Sequence, residues 1–79
     1  MVTRTLNLNS IDKVKEFVNI VTKFDLEMDL GSGRHVIDAK SIMGIFSLDI
    51  SKDVKLTVQG VEEKDCVELL NAIDQVIVK

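Results

Sequence analysis

Proline, tryptophan and tyrosine are missing from this chain, and cysteine and histidine occur once each. A single cysteine, Cys66, excludes an intrachain disulfide and agrees with a reducing, cytoplasmic setting. One Cys and one His fall short of the three or four N/S ligands of a usual metal centre, so no metal is expected. No cofactor-binding motif is present, and none is expected to be needed. Three phenylalanines are the only aromatic residues, and the ten Lys and Arg residues do not cluster. Neither a stacking platform nor a basic patch for nucleic acid is therefore available. The net charge of −3 is mild, with acidic groups spread along the chain. No apolar run approaches the roughly 20 residues needed to cross a bilayer, so no membrane association is expected. The N-terminal segment alternates and does not read as a signal peptide.

What remains is the composition of a small soluble domain. The chain has 79 residues, 46% apolar and 29% charged, and two hydrophobic cores could not both be filled at this length, so residues 1–79 read as one domain. Val2, Arg4, Leu6 and Leu8 alternate with Thr3, Thr5 and Asn7, the two-residue period of a first strand. Asn9 or Ser10 can cap a helix whose apolar stripe is Ile11, Val14, Phe17 or Val18, and Val21. Leu26, Met28 and Leu30 mark a second strand. Gly31-Ser32-Gly33 reads as a hairpin turn, and Arg34 to Ala39 as a third strand pairing back. Ser41 to Leu48 fits a two-turn helix, and Val54, Leu56 and Val58 a fourth strand ended by Gly60. Glu62, Glu63 and Asp65 suit the positive end of a last helix, whose apolar face is Cys66, Leu69, Leu70, Ile73, Val76 and Ile77. The order β-α-β-β-α-β-α implies an α+β open-faced sandwich, an antiparallel sheet with helices on one face and water on the other.

Few side chains invite chemistry. Ser10 and Ser41 each stand at a helix start, where a hydroxyl accepts a free backbone N–H. A phosphate on such a serine would meet the same donors. His35 follows the hairpin on a solvent-facing strand position, and Cys66 reads as a small core residue without a neighbouring base. Ile42, Met43, Ile45, Phe46 and Leu48 crowd two helical turns. One buried stripe cannot take all five, so part of Ile42, Met43 and Phe46 is expected at the surface. Gly44 either lets a partner approach that helix or keeps it short.

The run Lys40-Ser41-Ile42-Met43-Gly44, followed by Ile45-Phe46-Ser47-Leu48, closely resembles the regulatory-serine segment of the histidine-containing phosphocarrier (HPr) family of the bacterial sugar phosphotransferase system. The resemblance covers most of the chain, strong from Lys23 to Leu56 and weak before Val18. It implies the HPr fold, with strand order 1-4-2-3 and three helices on one face. It also implies a dedicated kinase acting on Ser41, and a docking surface of Lys40, Ser41, Ile42, Met43 and Phe46. Implied partners are an HPr-type serine kinase and a catabolite-control transcription regulator or metabolic enzyme. The protein is then no enzyme, and a monomer or weak dimer.

The family's other landmark is missing. Its phosphoryl-bearing histidine, in a Gly-Leu/Ile-His-x-Arg-Pro-Ala run, corresponds here to Ser10, with Asp12 in place of the arginine and Lys13 in place of the proline. The connection from first strand to first helix is also several residues shorter than in the family. A serine ester is too stable for a relay, and a carboxylate at position 12 would repel phosphate. The expected function is therefore an HPr-like regulatory and interaction protein without phosphohistidine carriage. The alternatives are a phosphocarrier with a non-standard acceptor and an HPr fold repurposed for an unrelated partner.

Overall fold

The computed structural model describes residues 1–79. Strands β1 (Val2–Leu6), β4 (Val54–Val58), β2 (Met28–Ser32) and β3 (His35–Asp38) lie side by side in that order, all antiparallel. Helices α1 (Ile11–Val21), α2 (Ile42–Phe46) and α3 (Val67–Ala72) complete an open-faced HPr-like sandwich. Even-numbered residues of β1, β2 and β4 turn to the core: Val2, Leu6, Met28, Leu30, Val54, Leu56 and Val58 are all buried. The register sets Leu30 against Leu56 and Met28 against Val58, so one apolar face runs unbroken across the two central strands. Seventeen residues form the buried cluster, every one of them apolar. Arg4 also occupies a core-side position, but on an edge strand. Its stem is half-buried and its guanidinium reaches out to Glu63, as long cationic side chains do at a core margin.

Helix α1 buries Val14, Phe17 and Val21, the i, i+3, i+7 stripe of an amphipathic helix. Ile11, read from the sequence as part of that stripe, is 59% exposed. The apolar side chain buried at this end is instead Leu8, from the preceding connection. That connection is tied down: Asn7 N–H donates to Val76 O at 2.8 Å and Asn7 Nδ2 to Asp53 Oδ1 at 3.0 Å. Those bonds turn the backbone away from strand geometry, so β1 stops at Leu6 although the alternation continues to Leu8.

Two further elements depart from the sequence pattern. The hairpin turn is Gly33-Arg34, with Ser32 and His35 already paired, and not Gly31 to Gly33. Gly33 takes φ +61° while Arg34 stays at negative φ, the combination of a two-residue type II′ turn. The last helix is broken into three pieces. A 3₁₀ turn (Glu63–Asp65) precedes α3, and Ile73, at φ −102° and ψ 10°, leaves α geometry before a second turn, Asp74–Val76. The chain then runs along the outer edge of β1, where Leu6 faces Ile77 and Val78 N–H donates to Thr5 O at 2.8 Å. Val76 and Ile77 thus supply an edge cover as well as apolar surface.

The two ends of the α1 stripe give a direct test. Phe17→Ala removes a side chain only 1% exposed and is expected to cost about 3–5 kcal/mol in urea unfolding. Ile11→Ala, on the same helix, should stay within about 0.5 kcal/mol because its side chain is already wet. Equal losses at the two positions would mean that Ile11 is buried.

Candidate functional site

Three residues of turn carry the chain from β3 into α2, and each is pinned. Asp38 Oδ1 accepts Lys40 N–H at 2.9 Å, and Asp38 O accepts Ser41 N–H at 3.0 Å. Ala39 between them is fully buried. Lys40 reaches away from α2: its ammonium donates to Phe24 O at 2.7 Å, just past the C-terminal end of α1. A cation among a helix's last carbonyls is favourably placed. Lys40 therefore ties α1 to the α2 entrance, a role its place in the resemblance did not suggest.

Ser41 is the N-cap of α2, extended at φ −96° and ψ 104°. Its Oγ accepts Gly44 N–H at 3.1 Å and its carbonyl accepts Ile45 N–H at 3.0 Å. The first turn of α2 carries no acidic residue, although Asp38 stands at the turn that leads into it. Ser41 is half-buried. Along the helix the apolar residues part by spacing. Ile45 and Leu48, three apart, turn to the core. Met43 and Phe46, also three apart, share an outward face at 76% and 39% exposure. Ile42 lies between the two, half-buried against the core.

The close approach at Gly44 is internal. A Cβ there would stand 3.3 Å from Ile37 Cβ on β3 and 3.1 Å from Ser41 Oγ. Glycine lets α2 sit down on β3 while the cap stays closed. Beyond α2, Asp49 accepts the Ser51 hydroxyl at 2.5 Å and Ser51 N–H at 3.1 Å. These bonds, the hydroxyl first, hold its carboxyl below the ordinary 3.8, with Lys52 helping.

At the start of α1 the arrangement is only a cap. Ser10 Oγ accepts Lys13 N–H at 3.2 Å, and Asp12 stands exposed in the first turn. The one imidazole, His35, is exposed on β3, the edge strand farthest in the sheet order from β1, which leads into α1. The structure therefore does not bring Ser10 and His35 together. Cys66 is buried with Sγ against the Glu62 and Glu63 carbonyls, both at 3.6 Å. No group of three or more His, Cys, Asp or Glu side chains is placed to hold a metal ion, and no helix is long and apolar enough to cross a membrane.

A β1-β4-β2-β3 sheet under three helices, with a serine-capped second helix, defines a phosphocarrier-type open-faced sandwich. Residues 12–78 match the family described as the PTS HPr component phosphorylation site, and the chain belongs to that family. The matched span begins two residues after Ser10. Among solved structures, the chain is similar to HPr-C-His from Thermoanaerobacter tengcongensis, with 28% identity and TM-score 0.74 over 95% of this chain and 93% of that one. It is similar to the Bacillus subtilis catabolite repression protein Crh, an intertwined swapped dimer, at 25% identity and TM-score 0.63 over 94% and 88%. The phosphocarrier protein HPr of Bacillus anthracis str. Ames, 24% identical, shares the fold with TM-score 0.70 over 91% and 94%.

Gly44→Ala tests the packing of the site. Alanine gains about 1 kcal/mol of helix propensity over glycine, but overpacking costs about 1–3 kcal/mol and the Ser41 cap, if displaced, about 1 kcal/mol more. Net destabilisation is expected in thermal unfolding. A stabilised Gly44→Ala would show that α2 can lift from β3 freely.

Proposed function

We propose that this protein is an HPr-like regulatory and interaction module of the sugar phosphotransferase system, controlled through Ser41 and without phosphohistidine carriage. The observation that carries the reading is the α2 entrance: a capping serine with no acid in its first turn, beside outward Met43 and Phe46. In this reading the Ser41 hydroxyl oxygen attacks the γ-phosphorus of ATP on an HPr-type serine kinase. The bond to ADP breaks, and the hydroxyl proton passes to the kinase's base. Met43 and Phe46, with the edge of Ile42, are what the kinase grips, since an exposed thioether and ring adapt to more than one surface. The same patch, next to a group carrying close to two negative charges, would serve a catabolite-control regulator or a metabolic enzyme. The likeness to Crh, whose name places it in catabolite repression, supports this class of partner. A cytoplasmic location goes with it.

Phosphoryl carriage is disfavoured by chemistry at the other helix start. A carrier needs a bond that is easily passed on, as a phosphoramidate on imidazole is. Ser10 offers only an ester, and the exposed Asp12 carboxylate adds like-charge repulsion.

Incubation of the pure protein with an HPr-type kinase and ATP, followed by mass-spectrometric mapping, should place phosphate on Ser41 alone. Ser41→Ala should abolish labelling while losing only about 1 kcal/mol of capping stability. Equal labelling of wild type and Ser41→Ala would sink the regulatory reading and leave an inherited fold with another partner. With phosphoenolpyruvate and the general phosphotransferase enzyme, no acid-labile phosphate should form. Its appearance on His35 would instead identify a carrier with a non-standard acceptor.

A further inference from the structure

Lys40 is the only lysine of the chain that is not exposed. Holding so long a side chain in one rotamer costs conformational entropy, and an ammonium on the surface is well hydrated, so lysine is not fixed in this way by default. Lys40 Nζ donates to Phe24 O at 2.7 Å and takes part in none of the salt bridges of the chain. The acceptor is itself fixed. Phe24 N–H donates to Val21 O at 3.1 Å, continuing the turn that ends α1, and the Phe24 side chain packs against the core.

The near end of this tie is the α2 entrance. Ala39 N–H bonds Met28 O at 3.0 Å and so holds the entrance to β2. Lys40 N–H and Ser41 N–H bond Asp38 Oδ1 and Asp38 O, which hold it to the end of β3. The Lys40 side chain adds support from α1, one residue before Ser41. Helix α2 has five residues, too few to keep a direction of its own in water. Where the Ser41 hydroxyl stands therefore depends on these supports.

We propose that Lys40 is a positioning residue for phosphoryl transfer to Ser41 and not a contact for the partner. The inference rests on the reading of Ser41 as the hydroxyl that the kinase phosphorylates. The ammonium is already bound to Phe24 O, so what it supplies is a fixed distance between α1 and the attacking oxygen. Attack on the γ-phosphorus needs Oγ in line with the bond to ADP, and a displacement of about 1 Å can cost about 100-fold in rate. Grip comes from Met43 and Phe46 on the outward face. The two roles then fall in different constants, Lys40 in kcat and the apolar pair in KM.

Steady-state phosphorylation of the intact protein by an HPr-type serine kinase and ATP tests this division. Circular dichroism confirms folding of each variant, and hydrogen exchange at Gly44 N–H reports the state of the Ser41 cap. Lys40→Met keeps the aliphatic stem and loses the donor. Its kcat should fall by about tenfold with KM for the protein unchanged, and Gly44 N–H should exchange faster. Lys40→Arg, with a donor long enough to reach Phe24 O, should restore most of both. Met43→Ala/Phe46→Ala should do the reverse and raise KM. A raised KM at unchanged kcat in Lys40→Met would make Lys40 a docking residue and overturn the proposal. A folded Lys40→Met that matches wild type in both constants overturns it as well. So does a kcat loss with Gly44 exchange unaltered, which would assign the ammonium a direct charge effect on the phosphoryl group. Should Lys40→Met fail to fold, Lys40→Gln, a neutral donor of shorter reach, takes its place in the same comparison. Wild type left unlabelled would remove the Ser41 reading and this one with it, a result distinct from a labelled wild type with the wrong kinetic split.

Discussion

One-sided burial of the sheet governs the rest of this molecule. All seventeen buried residues are apolar, and they lie between one face of four strands and the layer of helices and connections above it. A helix of eleven residues meets that demand easily, with Val14, Phe17 and Val21 on one stripe. A helix of five does not. In water α2 would be far below the length at which a helix persists by itself. It is held by Ile45 and Leu48 in the core, by the Ser41 cap and by the glycine that lets it lie against Ile37. Fixing those contacts leaves Met43 and Phe46 nowhere to go but outward. The exposed patch is thus a consequence of how α2 is anchored, and it sits beside the hydroxyl that closes the helix.

The chain holds two serine-capped helix starts, and their surroundings differ. Ser10 opens α1 with a carboxylate in the first turn and Ile11 standing alone in water. Ser41 opens α2 with no acid in the first turn and an apolar pair next to it. Both hydroxyls accept a backbone N–H three residues on, at 3.2 and 3.1 Å. What separates them is the electrostatic and apolar setting, so the proposal that Ser41 is the regulated hydroxyl does not rest on capping alone. The link from Lys40 to Phe24 O adds a mechanical connection, since it joins the α2 entrance to the end of α1.

The fold class was legible because alternation in Val2–Leu6, Met28–Leu30 and Val54–Val58 survives into the sheet without change. The strand order was not in that pattern, since local alternation carries no information about which strands are neighbours; it came from the resemblance at Lys40–Leu48. Long-range bonds erased other local signals. Asn7 is pulled toward Val76 and Asp53, which ends β1 early and buries Leu8. Ile77 is drawn beside Leu6, which takes the chain end out of helical geometry. The crowding of five apolar residues showed that α2 must expose some of them, and three-residue spacing divides them as Ile45 and Leu48 against Met43 and Phe46. Lys40 was placed with the docking surface, and no local signal marks its reach to Phe24, sixteen residues away. The roles proposed for Ser41 and its patch rest on the resemblance together with the cap geometry.

The most direct measurement is an NMR titration of the isotopically labelled protein with unlabelled HPr-type serine kinase. Amide shifts and broadening should concentrate in residues 40 to 48 and spare residues 10 to 13 at the start of α1. The Met43→Ala/Phe46→Ala double variant should weaken the perturbation without altering the fold, since both side chains already face solvent. Perturbation centred on Ser10, or an undiminished response in the double variant, would contradict the account and move the functional surface away from α2.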